Sequence, residues 1–122
     1  MLINLSNHPS ANWGDLQKEE AEKLFGLVKD IPFPEILPEI GEEEIQTIAK
    51  DYLSRILESQ TNSNDVLSVH LMGEYTFVFR LLLLLKKKGI KAFCSTSARH
   101  VKINPDNTKT VRFEFVRFRE YY

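Results

Sequence analysis

A chain of 122 residues, 43% apolar and 27% charged, predicts one globular domain spanning 1–122, long enough for a modest core and too apolar for disorder. A formal net charge of -1 gives no general pull toward a nucleic-acid backbone, so no stable DNA binding is expected. The single cysteine, Cys94, leaves no internal disulfide to form, and no Cys/His spacing suggests zinc, so neither a metal nor a cofactor is expected.

The opening MLINLSNHPS has no basic region and too short an apolar run for a signal peptide. Leu81–Leu85 is a run of leucines far short of the ~20 apolar residues a membrane span needs. The expectation is a soluble, cytoplasmic protein.

Leu2–Leu5 reads as a short apolar strand, broken by Asn7, Pro9, Ser10 and Asn12. Asp15 is a candidate N-cap for a helix in which Ala21, Leu24, Phe25 and Val28 keep the i, i+3, i+4, i+7 spacing. Val28–Phe33 predicts a short strand, and Pro32, Pro34 and Pro38 an extended connection. Glu42–Ser59 predicts a second helix, with Ile45, Ile48, Ala49, Tyr52, Leu53, Ile56 and Leu57 on one face and three glutamates in its first turn. Gln60–Asp65 reads as a polar loop.

Val66–Met72 predicts a strand apolar on both faces apart from Ser68 and His70. Glu74–Lys88 predicts a helix with an acid at its start, three lysines at its end and Gly89 as its stop. Its middle, Phe77 to Leu85, is apolar almost all round, which places it either in the core or in a subunit interface. Ile90–Ser95 predicts a strand, Asn104–Lys109 a turn, and the alternation in Thr110–Phe118 a half-exposed antiparallel edge strand.

Alternation of strands and helices predicts an α/β fold: a Rossmann-like, mostly parallel sheet of flavodoxin-like order 2-1-3-4-5, flanked by helices, with an antiparallel C-terminal edge strand. Ligands of such sheets bind outside the carboxyl ends of the strands, at the switch point between the first and third. Three polar turns are predicted there: Ser6–Trp13, Gly73–Thr76 and, next door, Thr96–Arg99.

Each turn can supply chemistry. Gly73 lets a ligand approach the backbone, and first-turn N–H groups beyond it suit phosphate; Glu74 suits a ribose hydroxyl or a base edge, or only the helix dipole. Ser95, Thr96, Ser97 and Arg99 join hydroxyls to a guanidinium fork, a set that fits phosphate oxygens. His8 can donate to a phosphate or act as a general acid/base. Trp13 can stack on a base or plug the core. His70 reads as a hydrogen-bonded core histidine, Cys94 as a buried strand residue, and Arg112, Arg117 and Arg119 as a solvated edge. No GxGxxG, P-loop or GxSxG is present, which argues against a dinucleotide dehydrogenase, an ordinary NTPase and an α/β-hydrolase.

The turn Ser6-Asn7-His8-Pro9-Ser10-Ala11-Asn12-Trp13 resembles the Ser-x-His-Pro-Gly-Ala-x-x-Trp turn of small CRISPR-associated, Rossmann-like proteins related to the CARF sensor domain, several of them ring nucleases. Ser10 stands where that pattern has glycine, and one residue, not two, separates Ala11 from Trp13. The resemblance implies a homodimer that binds or cleaves cyclic oligoadenylate without a metal, by attack of a ribose 2′-hydroxyl on the neighbouring phosphodiester. Carried onto this chain, it implies His8, Ser95 and Arg99 as catalytic groups. Ser6, Asn7, Ser10, Trp13, Gly73, Glu74, Thr76, Thr96 and Ser97 would bind the ligand, and the Phe77–Leu85 helix would contribute to the interface. The rivals are a non-catalytic sensor or sponge, and an adaptor with no nucleotide site.

Overall fold

The computed structural model describes residues 1–62 and 64–122, so position 63, inside the predicted Gln60–Asp65 loop, lies outside the described residues. Five strands, β1 (Leu2–Ser6), β2 (Val28–Asp30), β3 (Ser68–Met72), β4 (Lys91–Ile103) and β5 (Lys109–Glu120), form one sheet in the order β2-β1-β3-β4-β5. The first four are parallel and β5 is antiparallel to β4, the α/β arrangement that the alternation of elements predicts. A short 3-10 turn (Ser10–Asn12) follows β1. The helices are α1 (Asp15–Phe25), α2 (Glu42–Glu58) and α3 (Tyr75–Lys87). None of the described helices is long and apolar enough to cross a membrane.

Strand alternation divides the sheet into two faces. On one, Ile3 and Leu5 of β1, Val69 and Leu71 of β3 and Ala92 of β4 meet α2 and α3. Helix α2 contributes Ile45, Ala49, Tyr52 and Ile56; α3 contributes Phe77, Leu81 and Leu85. Leu57, expected on the α2 core face, is exposed instead, because it sits at the margin of that stripe. On the other face, α1 packs Ala21 and Phe25 over Leu2, Phe93, Phe115 and Phe118. Here Trp13 closes the core from the side.

Several boundaries move. Gly14 is the N-cap of α1, and Asp15 is its first residue. That helix ends at Phe25, so Val28 belongs to β2 and Leu24 faces solvent. Strand β2 stops at Asp30, two residues before Pro32, and β3 begins only at Ser68. Lys88 caps α3, and Gly89 (φ 72°) then adopts the left-handed conformation that ends the helix. Cys94 is half-buried, not buried.

The largest correction concerns Thr96–Arg99, which is no turn. It continues β4, paired with β5 from Phe93–Glu120 out to Ile103–Lys109. The reversal comes later, at Asn104–Thr108, where Asn107 (φ 67°) supplies the left-handed residue and Asn104 N–H donates to the Thr108 carbonyl at 2.8 Å. Hydroxyl residues read locally as a turn, yet the long partner strand supplies their backbone hydrogen bonds, and the ladder wins. A register shift between Thr96 and Ser97 bends the ribbon where it leaves the sheet. The chain end is fixed in turn: the Tyr121 hydroxyl donates to the Leu71 carbonyl and the Tyr122 hydroxyl to that of Ile90.

Candidate functional site

The strand register sets a polar stripe on the α1 face. Asn4 lies beside His70, Ser6 beside Met72, and His70 beside Phe93. Side chains two apart share a face, so Asn4 and Ser6, His70 and Met72, and Ser95 and Ser97 all emerge on the side where α1 packs. Asn4 and His70 are 1% and 2% exposed, so each polar atom there needs a partner.

Those partners form one network. Asp30, at the end of β2, accepts from Asn4 Nδ2 (2.8 Å) and Ser10 N–H (3.2 Å) on Oδ1, and from the Ser10 hydroxyl (2.8 Å) on Oδ2. Asn4 Nδ2 also donates to the His8 carbonyl at 2.9 Å, an oxygen that receives the Trp13 indole N–H at 3.2 Å as well. The amide nitrogen of Asn4 is thus held by two acceptors. Its oxygen points the other way, to the Ser6 hydroxyl (2.9 Å) and His70 Nδ1 (2.8 Å). An amide oxygen only accepts, so His70 carries its proton on Nδ1. Burial, reinforced by His8 nearby, pulls the His70 imidazole down to about 4, so the ring is neutral at pH 7.

Above this network lies a cleft of about 620 Å³. His8 and the start of α1 form one wall, with Trp13 between them. Ser95 and Ser97 of β4 with Phe113 and Phe115 of β5 form the other, and His70 and Met72 lie at the base. The Ser95 hydroxyl donates to the Met72 sulfur at 3.1 Å. Asp15 adds a carboxylate at the margin, whereas the Glu114 carboxylate is engaged by His100 Nε2 at 3.1 Å on the other face of the ribbon. Arg99 pairs with Phe113 and lies two residues beyond Ser97, on the same face of the ribbon, which sets a cation at the outer end. A second depression of about 670 Å³, between α1 and β2, shares Trp13 with the cleft but reaches no residue of β3 or β4, so it lies off the switch point.

The cleft therefore unites His8, Trp13, Ser95 and Ser97. Ser6 is buried and bonded to Asn4, Ser10 is held by Asp30 and lines the second depression instead, and Asn7 is exposed on the turn. Thr96 projects from the opposite face of β4, where its hydroxyl donates to the Arg117 carbonyl at 3.2 Å. The predicted Gly73–Thr76 turn stands apart from the cleft. Glu74 caps its own helix, accepting from Thr76 N–H (3.0 Å), Phe77 N–H (2.9 Å) and the Thr76 hydroxyl (2.7 Å). Slight burial opposes ionisation of Glu74, but these hydrogen bonds hold its carboxyl below the usual range. First-turn donors suited to a phosphate are thus already engaged. Gly73 is covered by Phe33, whose ring lies 2.3 Å from where a Cβ would stand. Among the described residues no three His, Cys, Asp or Glu side chains cluster to hold a metal ion.

Asn4, Asp30, Met72, Phe113 and Phe115 are the site residues that local patterns miss. A polar Asn inside the apolar LINLS strand is the one signal that pointed to the network.

An open sheet with a polar cleft outside the carboxyl ends of its parallel strands defines a doubly wound α/β protein. By sequence the chain belongs to the uncharacterized protein MJ1673 family, whose model matches residues 1–119. Neither the curated proteins nor the solved structures contain a match.

Proposed function

We propose that the cleft binds a cyclic oligoadenylate and cleaves it without a metal, in CRISPR-type antiviral signalling. The observation that carries this reading is the convergence of His8, Trp13, Ser95 and Ser97 on one cleft at the switch point, with Arg99 on the same face. An adenine packs against the edge of Trp13 that borders the cleft, and the marginal carboxylate of Asp15 accepts from its amino group or from ribose hydroxyls. The 2′-oxygen attacks the adjacent phosphorus, forming a 2′,3′-cyclic phosphate as the bond to the 5′-oxygen breaks. His8 moves the proton, Ser95 positions the phosphodiester, and Arg99 stabilises the charge on its oxygens.

A two-fold ligand calls for a two-fold protein. Helix α3 carries exposed Tyr75, Phe79 and Leu83 (89%, 60% and 55%) at i, i+4 and i+8, one apolar stripe that a second copy would cover.

Incubation with cyclic tri-, tetra- and hexa-adenylate in EDTA, followed by chromatography, tests the reading. Linear products with 2′,3′-cyclic phosphate ends are the expected result, and His8→Ala or Arg99→Ala should abolish them. An intact ligand that co-elutes with the protein would leave a binding module. No binding would leave an adaptor and overturn the nucleotide reading.

A further inference from the structure

One polar atom at the base of the cleft is unsatisfied. His70 Nε2 is buried and has no hydrogen-bond partner among the described residues. Since Nδ1 bears the proton, Nε2 carries a lone pair and can only accept. Such a group costs stability unless something donates to it. The rings about it offer little: Trp13 stands edge-on with its centroid 5.3 Å away and Phe118 at 5.6 Å. The indole N–H of Trp13, the nearest candidate donor by type, is committed to the His8 carbonyl.

The state of this nitrogen is built, not incidental. Asp30 orients Asn4, and Asn4 fixes the tautomer of His70. Three strands, β2, β1 and β3, each contribute one member of that relay. A histidine that merely filled the core would need no such relay, because an aromatic ring would pack as well without an unpaired lone pair. His70 also forms part of the cleft base, beside Met72.

We propose that His70 Nε2 is the acceptor for a ligand hydroxyl, the ribose 2′-hydroxyl of a ribonucleotide, and that Asp30 and Asn4 are positioning residues that keep this nitrogen free of its own proton. The assignment rests on the reading of the cleft as a nucleotide site and adds the group that tells ribose from deoxyribose. In the free protein the Trp13 and Phe118 rings flank the His70 ring, and the ligand reaches Nε2 by displacing the indole edge.

The test compares cyclic tetra-adenylate with its all-2′-deoxy counterpart by rapid filter binding, before turnover. One hydrogen bond to a buried acceptor corresponds to about tenfold discrimination. The wild type should prefer the ribo form by about that factor, and His70→Leu should lose the preference. His70→Gln, whose amide oxygen reaches the Nε2 position, should recover part of it. Asp30→Ala should weaken it by loosening Asn4, with Ser10→Ala as the control for the hydroxyl that Asp30 also holds. Nitrogen-15 NMR of the wild-type imidazoles needs no variant: His70 should show a protonated Nδ1 and a bare Nε2 that shifts with the ribo probe and not with the deoxy probe. A proton on Nε2 in the free protein would overturn the proposal, as would equal binding of the two probes or an unchanged preference in His70→Leu. Binding of neither probe would overturn the nucleotide reading, and this assignment with it.

Discussion

The two faces of the sheet are built for different purposes. The face under α2 and α3 is aliphatic and closed: Ile3, Leu5, Val69, Leu71, Leu81 and Leu85 meet with no exposed surface. The face under α1 is aromatic and polar, and only partly covered. Its strands carry Asn4, Ser6, His70 and Met72 where the opposite face carries aliphatic side chains. One face supplies apolar burial; the other spends some of that stability on unpaired and buried polar groups.

The sharpest way to break the comparison is to open each face in turn. Leu81→Ala should cost about 3 kcal/mol, through lost burial and a cavity in the closed core. Phe115→Ala, at the half-buried wall of the cleft, should cost about 1 kcal/mol, because solvent already reaches that ring. Urea unfolding of both would show it, and equal costs would erase the distinction between the faces.

Between about pH 6.5 and 4, acid should act on the polar face through His70. His70 sits at about 4 in the folded chain against 6.5 unfolded, so between these values the unfolded state binds a proton that the folded state does not. The stability is fully present above about pH 6.5 and falls by about 3 kcal/mol as pH drops toward 4. Stability measured against pH for wild type and His70→Leu should diverge in that window only. Parallel curves would mean that the histidine is charged or exposed.

Gly73→Ala sharpens the comparison at the edge of the aliphatic face. The new Cβ would meet the Phe33 ring, which itself packs edge-on against Phe77. We expect a cost of about 2 kcal/mol, most of it recovered in a Phe33→Leu background. An effect as small as that of Phe115→Ala is expected of Glu74→Ala, which removes the α3 cap at about 1 kcal/mol, with Glu74→Ser close to wild type. Thermal unfolding of the two variants checks this; equal losses would show that the carboxylate does more than cap.

How the site escaped the sequence is clear from particular residues. His70 looked like a core histidine, and its Nδ1 is indeed satisfied as one; its Nε2 is not. Gly73 and Glu74 looked like a phosphate-binding helix start. Yet the carboxylate folds back on its own N–H groups, and a phenylalanine from the proline-rich segment covers the glycine. Ser95–Arg99 looked like a turn, and a partner strand made it half of a ribbon that still brings Ser95 and Ser97 to the cleft.

By itself the sequence determined what depends on near neighbours. Hydrophobic period, caps and breakers fixed the helices, the strands to within a few residues apart from the far end of β4, the 2-1-3-4-5 order and the antiparallel edge. Only the tertiary structure decided what depends on distant ones. The bonds of Asn4 to Asp30 and to His70 join residues 26 and 66 apart, and nothing in a local pattern records such a contact. A side-chain hydrogen bond is set by where the backbone has already placed its two ends, so the proton on His70 was decided by the register of three strands.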